Sequence, residues 1–186
     1  MFFKVQSFPD MLWMLIWNIT VIGVLHVVLL YCCTRLSKET LDFQRPRFAP
    51  KRWEHEGRFY RDKLKINVWK DYIPQYVTKD GFSKESLEKN PSLSYVEAFL
   101  AETCRGEWYH AGNLIGIVFF LAVNPLLYGL LFSLALTVIH GTCIAIQRYN
   151  RFRLLILRKK LLRDARRAGR SVEPIVVTAV ESEEIA

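Results

Sequence analysis

Apolar positions in this chain are gathered into long blocks, without the alternation that a soluble core requires. Met11 to Tyr31 carries no Asp, Glu, Lys or Arg, and about twenty such residues suffice for a helix to cross a ~30 Å hydrocarbon layer. A second apolar run extends from Trp108 to Ile146 and is broken once, at Asn124-Pro125. Folded back at that break, it becomes a hairpin. The limb ending at Val123 is short for a perpendicular span at ~1.5 Å per residue, which leaves a tilted or re-entrant path open. The limb from Leu126 to Ile146 is full length. Trp108 and Tyr109 are aromatic residues suited to the membrane interface. The pattern predicts an all-α integral membrane fold of about three transmembrane helices, one N-terminal and then a hairpin, with interfacial helices and a basic C-terminal amphipathic helix.

Two rival readings of the first block are disfavoured. It is long for the apolar core of a cleaved signal peptide, and Tyr31-Cys32-Cys33-Thr34-Arg35 lacks a small-x-small cleavage pattern. Tyr31 before the cysteine also argues against lipoprotein processing.

The chain reads as one domain: an N-terminal helix (1–34), a cytoplasmic or interfacial region (35–101), the membrane hairpin (102–147), a basic interfacial helix (148–170) and a tail (171–186). Within the polar region, Arg45 to Pro50 is expected to be extended, because proline disfavours helix in the residue before it. Trp53 to Arg61 mixes aromatics and charges, as an irregular or short-helical segment at the interface would. Ser83 to Lys89 reads as a short helix with Ser83 as its cap. Ser92 or Ser94 then starts a helix that leads through Glu97, Phe99, Leu100 and Glu102 into the hairpin. Beyond the hairpin, Leu154, Leu157, Leu161, Ala165 and Ala168 recur at helical spacing among arginines and lysines, the pattern of a helix lying on an anionic surface.

Charge orients the chain. Fifteen Lys or Arg fall between Arg35 and Arg105 and ten between Arg148 and Arg170, whereas the Asn124-Pro125 turn has none. Both basic regions are therefore expected in the cytoplasm, with the N-terminus and hairpin tip outside. The net charge of +8 flanks membrane spans, which favours anionic lipid or phosphate as partners over nucleic acid. The four cysteines have neither metal nor redox spacing. Cys104 beside Arg105 is the one thiol weighed as an activated nucleophile, against the ordinary outcome of an inert cysteine.

The candidate chemistry lies at the two ends of the hairpin. Glu107 and His110 are three apart, hence neighbours on a helix face, and a carboxylate beside an imidazole makes a general base for a hydroxyl nucleophile. Glu102 and Arg105 pair on another face. At the far end, Gln147, Arg148, Tyr149, Asn150, Arg151 and Arg153 combine guanidinium groups suited to phosphate with hydrogen-bonding groups suited to a sugar. His26 and His140 read as packed, hydrogen-bonded residues, and Asn18 as a group that bonds across to the hairpin. A metal site is not expected: Glu-x-x-His occurs once, and di-iron bundles need two copies with further carboxylates.

These motifs resemble those of the glycosyl-4,4'-diaponeurosporenoate acyltransferase family, small bacterial membrane acyltransferases of staphyloxanthin biosynthesis. The resemblance rests on Glu54-His55-Glu56-Gly57-Arg58-Phe59, Trp69-Lys70, Glu102-Thr103-x-Arg105-x-Glu107-x-x-His110 and Gln147-Arg148-Tyr149-Asn150-Arg151-x-Arg153-Leu154. Glu56, between His55 and Gly57, departs from the family pattern, as does the tail. The resemblance implies transfer of a fatty acyl group to a sugar hydroxyl of a glycosylated lipid, in the bacterial cell membrane. The site expected on this basis has His110, Glu107 and Arg105 as catalytic groups. Gln147, Arg148, Tyr149, Asn150, Arg151, Arg153, His55 and Glu54 would bind substrate. No cofactor is expected beyond acyl-CoA or another acyl donor as substrate, and the expected partners are membrane lipids, the donor and a glycolipid acceptor. The competing readings are a non-enzymatic scaffold or lipid-binding protein, and a metal-dependent lipid hydroxylase or desaturase.

Overall fold

The computed structural model describes residues 3–73 and 91–169; the helix expected over Ser83–Lys89 and the tail from Ser171 lie outside them. The described secondary structure is all helical, with no strand. Helix α1 (Phe8–Thr34) starts where Ser7 and Asp10 form a reciprocal cap: the Asp10 N–H donates to Ser7 Oγ, and the Ser7 N–H donates to Asp10 Oδ2 at 2.9 Å. Its last turn contains no basic residue. Arg105 supplies the missing cation from another helix, donating from Nη1 to the Cys33 carbonyl at 3.0 Å.

A turn-rich stretch follows. Arg45 to Ala49 is not extended as expected: the Arg45 carbonyl accepts from the N–H groups of Phe48 and Ala49, both at 2.9 Å. Pro46 sits second in that turn, where its fixed φ is favoured, so the restriction on the preceding residue is met by a turn. A 3-10 turn (Arg52–Gly57), a π turn (Phe59–Lys63), the single-turn helix α2 (Ile66–Trp69) and a second 3-10 turn (Lys70–Tyr72) complete this region.

Helix α3 (Leu93–Asn113) is capped by Ser92, whose Oγ accepts from the Tyr95 N–H at 3.1 Å. Around Leu114 and Ile115 the hydrogen bonds tighten to i→i+3, with Ile115 bonded to Gly112 and Ile117 to Leu114. Helix α4 (Gly116–Val123) then continues to the Asn124-Pro125 break. Helix α5 (Leu126–Arg167) returns as one unbroken run of 42 residues, about 63 Å at 1.5 Å per residue. It passes straight through the 147–148 boundary drawn from sequence. The basic half is therefore not a separate surface helix. Its apolar stripe finds a partner in α3, where Leu154 packs with Val96, Phe99 and Leu100, and Arg158 pairs with Glu97 at 2.8 Å.

Two helices, α1 and α5, are long and apolar enough to cross a membrane. The apolar run between them is divided between the end of α3 and α4, neither of which is both long and apolar enough alone. Trp13, Trp17 and Val27 of α1, Val118 of α4 and Leu130, Leu134 and Val138 of α5 are all exposed. The hairpin limbs meet closely at Gly129, where an added Cβ would lie 2.9 Å from the Phe120 carbonyl oxygen.

Asn18 does bond across to the hairpin. Its Nδ2 donates to Asn124 Oδ1 at 2.8 Å, and Asn124 Nδ2 donates back to Asn18 Oδ1 at 3.0 Å, both residues being buried. In an apolar bundle, cutting one amide leaves the other's Oδ1 without its donor, while its Nδ2 keeps a backbone carbonyl, Met14 for Asn18 and Phe120 for Asn124. Asn18→Leu and Asn124→Leu should each cost about 1–2 kcal/mol, and the double variant should cost less than their sum. Thermal unfolding of the four proteins in detergent checks this, and strict additivity would show that the amides are uncoupled.

Candidate functional site

The polar ends of the hairpin meet, but in an arrangement different from the one their spacing suggests. Arg148 and Arg151, one turn apart on α5, point into a closed space between α3 and the 45–63 segment. There they meet two carboxylates. Arg148 donates from Nε to Glu54 Oε1 at 2.5 Å, from Nη2 to Glu54 Oε2 at 2.7 Å, and from Nη1 to Glu107 Oε1 at 3.1 Å. Arg151 donates from Nη1 to Glu107 Oε2 at 2.6 Å, and from Nε to the Thr103 hydroxyl at 3.1 Å. Carbonyls of Arg47, Phe48, Ala49 and Thr103 accept further guanidinium protons. All four charged residues are buried, with Glu54 at 0% exposure and Arg151 at 2%. Two anions and two cations thus neutralise each other, with their hydrogen-bonding capacity turned inward.

The loop beneath this knot is shaped to deliver Glu54. His55, Glu56 and Gly57 all have positive φ, at 47°, 58° and 87°, and only glycine adopts that region without penalty. The reversal turns Glu54 and Tyr60 inward and leaves His55 and Glu56 exposed. Gly57 is doubly required, since a Cβ there would also sit 3.0 Å from Phe152 Cβ. The Tyr60 hydroxyl donates to Glu54 Oε1 at 2.5 Å, and the Lys51 N–H to Oε2 at 2.5 Å. Burial alone would raise the Glu54 carboxyl, but the hydrogen bonds from Arg148, Tyr60 and Lys51 hold it below its usual value of 4.5. Burial and the neighbouring carboxylate push the Tyr60 hydroxyl up, so it remains a donor.

Because Arg148 and Arg151 hold both Glu107 oxygens, the carboxylate expected to orient His110 serves the knot. His110 Nδ1 instead lies 3.0 Å from His140 Nδ1. Further inward, the His140 and His26 ring centroids are 5.0 Å apart, and Tyr109 packs edge-on to both His26 and His110. Three helices therefore bring one imidazole each to a single place. His140 is 2% exposed, and its Nε2 has no hydrogen-bond partner among the described residues; the same holds for Asn113 Oδ1, Ser133 Oγ and Gln147 Oε1. Ser133, His140 and Gln147 recur every seven residues on one face of α5.

The remaining sequence-predicted groups lie around this cluster and the knot. Gln147 lies flat against Gly106, where a Cβ would fall 2.8 Å from its amide carbon. Arg105 bonds Glu102 at 3.0 Å as expected, and caps α1. Asn150 is buried, Tyr149 is half-buried under the Arg153 guanidinium, and Arg153 is exposed. Cys104 is fully buried, packed with Leu41 and Phe48, so its thiol is closed off from substrate and is no activated nucleophile. His26 and His140 are packed and hydrogen-bonded as expected, to the Ile22 carbonyl and to His110; what the sequence reading did not foresee is that they gather beside His110, and that Thr103 and Tyr60 join the knot. The legible signal for the two histidines was their place in apolar helices, where an ionisable group is costly.

No curated protein and no solved structure matches the chain. The sequence profile of one family does match, over residues 44–160, a stretch that contains the whole ion-pair knot, both hairpin limbs and two of the three clustered histidines. The chain belongs to the glycosyl-4,4'-diaponeurosporenoate acyltransferase family, whose name describes acyl transfer to a glycosylated carotenoid.

Proposed function

We propose that this protein is a membrane O-acyltransferase that moves a fatty acyl group onto a sugar hydroxyl of a glycosylated carotenoid or related glycolipid. It crosses the membrane three times, through α1, the α3–α4 limb and α5, with its basic regions in the cytoplasm. The observation that carries the reading is the imidazole cluster, set a short way inside the charged knot and ringed by apolar helix faces. A glycolipid presents its sugar at that depth while its apolar body lies along the exposed helix faces.

His110 acts as the base. It takes the proton of the sugar hydroxyl as the oxygen attacks the acyl carbonyl carbon; the bond from that carbon to the donor's leaving group breaks, and His110 returns the proton to the leaving group. With Arg148 and Arg151 committed to Glu54 and Glu107, anion binding falls to Arg105, whose side chain is 31% exposed, and to Arg153. Either guanidinium suits an oxyanion or the phosphates of a coenzyme A thioester.

The test is purified full-length protein in lipid nanodiscs, supplied with labelled acyl-CoA and a panel of glycosylated carotenoids and other glycolipids. Acyl ester on the sugar is the expected product. No transfer to any acceptor would favour the scaffold reading.

A further inference from the structure

We infer that the segment from Arg58 to Tyr72 is seated on the cytoplasmic membrane surface, where it binds anionic phospholipid, and that the basic end of α5 is not the lipid-binding element. The inference rests on the membrane placement of α1 and α5 given above, and not on acyl transfer.

Height along α5 carries the argument. Leu126 to Gln147 contains no Asp, Glu, Lys or Arg, and the first charge of the helix is Arg148. The hydrocarbon layer therefore ends near this level. The 58–72 segment packs on α5 at that boundary: Tyr60 and Ile66 form one buried cluster with Ile146 and Phe152, and Ala145 and Tyr149 lie against it. Lys65 takes a left-handed φ of 50°, a reversal between the π turn and α2. It sets Ile66 inward at 0% exposure and leaves Leu64 and Val68 facing out, Val68 at 65%.

Beside this outward apolar face, Arg58, Arg61, Lys63 and Lys65 are all exposed. Apolar and basic side chains on one face are the composition of a segment that lies in the headgroup layer. Asp62 pairs with Arg61 at 2.6 Å, which leaves Arg58, Lys63 and Lys65 for lipid phosphate. The sequence pattern assigned this role to the helix after the hairpin, but α5 runs on unbroken to Arg167. At 1.5 Å per residue, Lys159 to Arg167 stand about 16–28 Å beyond Arg148. The field of an anionic leaflet decays over about 8 Å at physiological salt, so those cations feel little of it. The segment packed at Ile146 to Phe152 lies within its reach. The loop that leads into this segment also delivers Glu54 to the ion-pair knot, so lipid bound here favours the folded protein by mass action.

The experiment is thermal unfolding of the full chain in nanodiscs of phosphatidylcholine with a rising fraction of phosphatidylglycerol. The unfolding temperature should rise with the anionic fraction. Each basic residue close to a membrane surface strengthens anionic-lipid binding ~5-fold, so Lys63→Gln with Lys65→Gln should weaken it ~25-fold and remove most of the rise. Both side chains are exposed, so this variant keeps its fold. Arg163→Gln with Arg166→Gln, far out on α5, should keep the full rise. A wild type indifferent to phosphatidylglycerol, a rise that survives the first pair, or one lost with the second overturns the proposal. Hydrogen exchange supplies the local reading: amides from 61 to 69 should slow as phosphatidylglycerol is added. Unchanged exchange there, with an unfolding temperature that still rises, gives the lipid contact to another basic surface and equally overturns it. Neither reading needs turnover. A protein that shows both responses and acylates nothing retires acyl transfer and leaves the membrane seat in place.

Discussion

Arg148→Met is expected to lower stability by about 3–5 kcal/mol, because it removes one member of a buried charge cluster and leaves another unpaired. Methionine replaces the aliphatic stem but none of the guanidinium bonds. Glu54, at 0% exposure, would keep only the Tyr60 hydroxyl and the Lys51 N–H. Against a typical total of ~5–15 kcal/mol, such a loss unfolds much of the population. Thermal unfolding in detergent reads it directly. Adding Glu54→Gln should recover part of the loss, since a neutral amide still accepts from Tyr60 and Lys51, whereas Arg153→Met on the exposed face should change stability by about 0.5 kcal/mol or less. The same pairing gives an acid limb. A depressed Glu54 carboxyl stabilises fully above its unfolded value near 4.5, and that contribution is lost as pH falls through the lower folded value. An Arg148→Met protein that unfolds like the wild type but transfers no acyl group would move Arg148 from the structural frame to the substrate.

Why sequence placed these arginines in the substrate site is instructive. Clustered arginines beside a span look alike whether they face phosphate or a carboxylate from elsewhere in the chain, and here the partner is 94 residues away. The helices themselves were readable, because blocks of apolar residues and the Asn-Pro break depend on local pattern alone. Asn18 was readable for a related reason: an amide in an apolar helix has few options besides another helix. The turn at Arg45 was not, since Pro46 suits the second place of a turn as well as an extended chain, nor were the left-handed His55 and Glu56, where tertiary demand for Glu54 at the knot overrides local preference. The unbroken course of α5 was equally hidden. Its composition changes abruptly at Gln147, yet no glycine or proline stops the helix, and α3 covers its apolar stripe. For Glu107, helical spacing correctly put His110 nearby, but two guanidinium groups outcompete one imidazole for a carboxylate. The histidine cluster was missed because each ring was judged on its own helix, whereas its meaning comes from three helices meeting.

His110→Ala is expected to reduce acyl transfer by ~10²–10⁴-fold, the usual contribution of a positioned general base, equivalent to about 3–5.5 kcal/mol of barrier. The loss should fall on kcat with little change in KM, because a base that acts only on the reacting proton contributes to the transition state and not to ground-state binding. Glu107→Gln separates the two accounts of this residue. If the carboxylate oriented His110, the glutamine variant would keep its fold and lose kcat nearly as far as His110→Ala. With both Glu107 oxygens held by Arg148 and Arg151, the expected result is the opposite: unfolding at lower temperature, and near-normal kcat in the fraction that remains folded. Labelled acyl-CoA turnover, normalised to the folded fraction from the unfolding curve, gives both numbers in one series. Transfer that survives His110→Ala would remove the imidazole cluster from the chemistry. It would leave the half-buried Arg105 and the exposed Arg153, with the substrate's own groups, as the place to look for the proton's path.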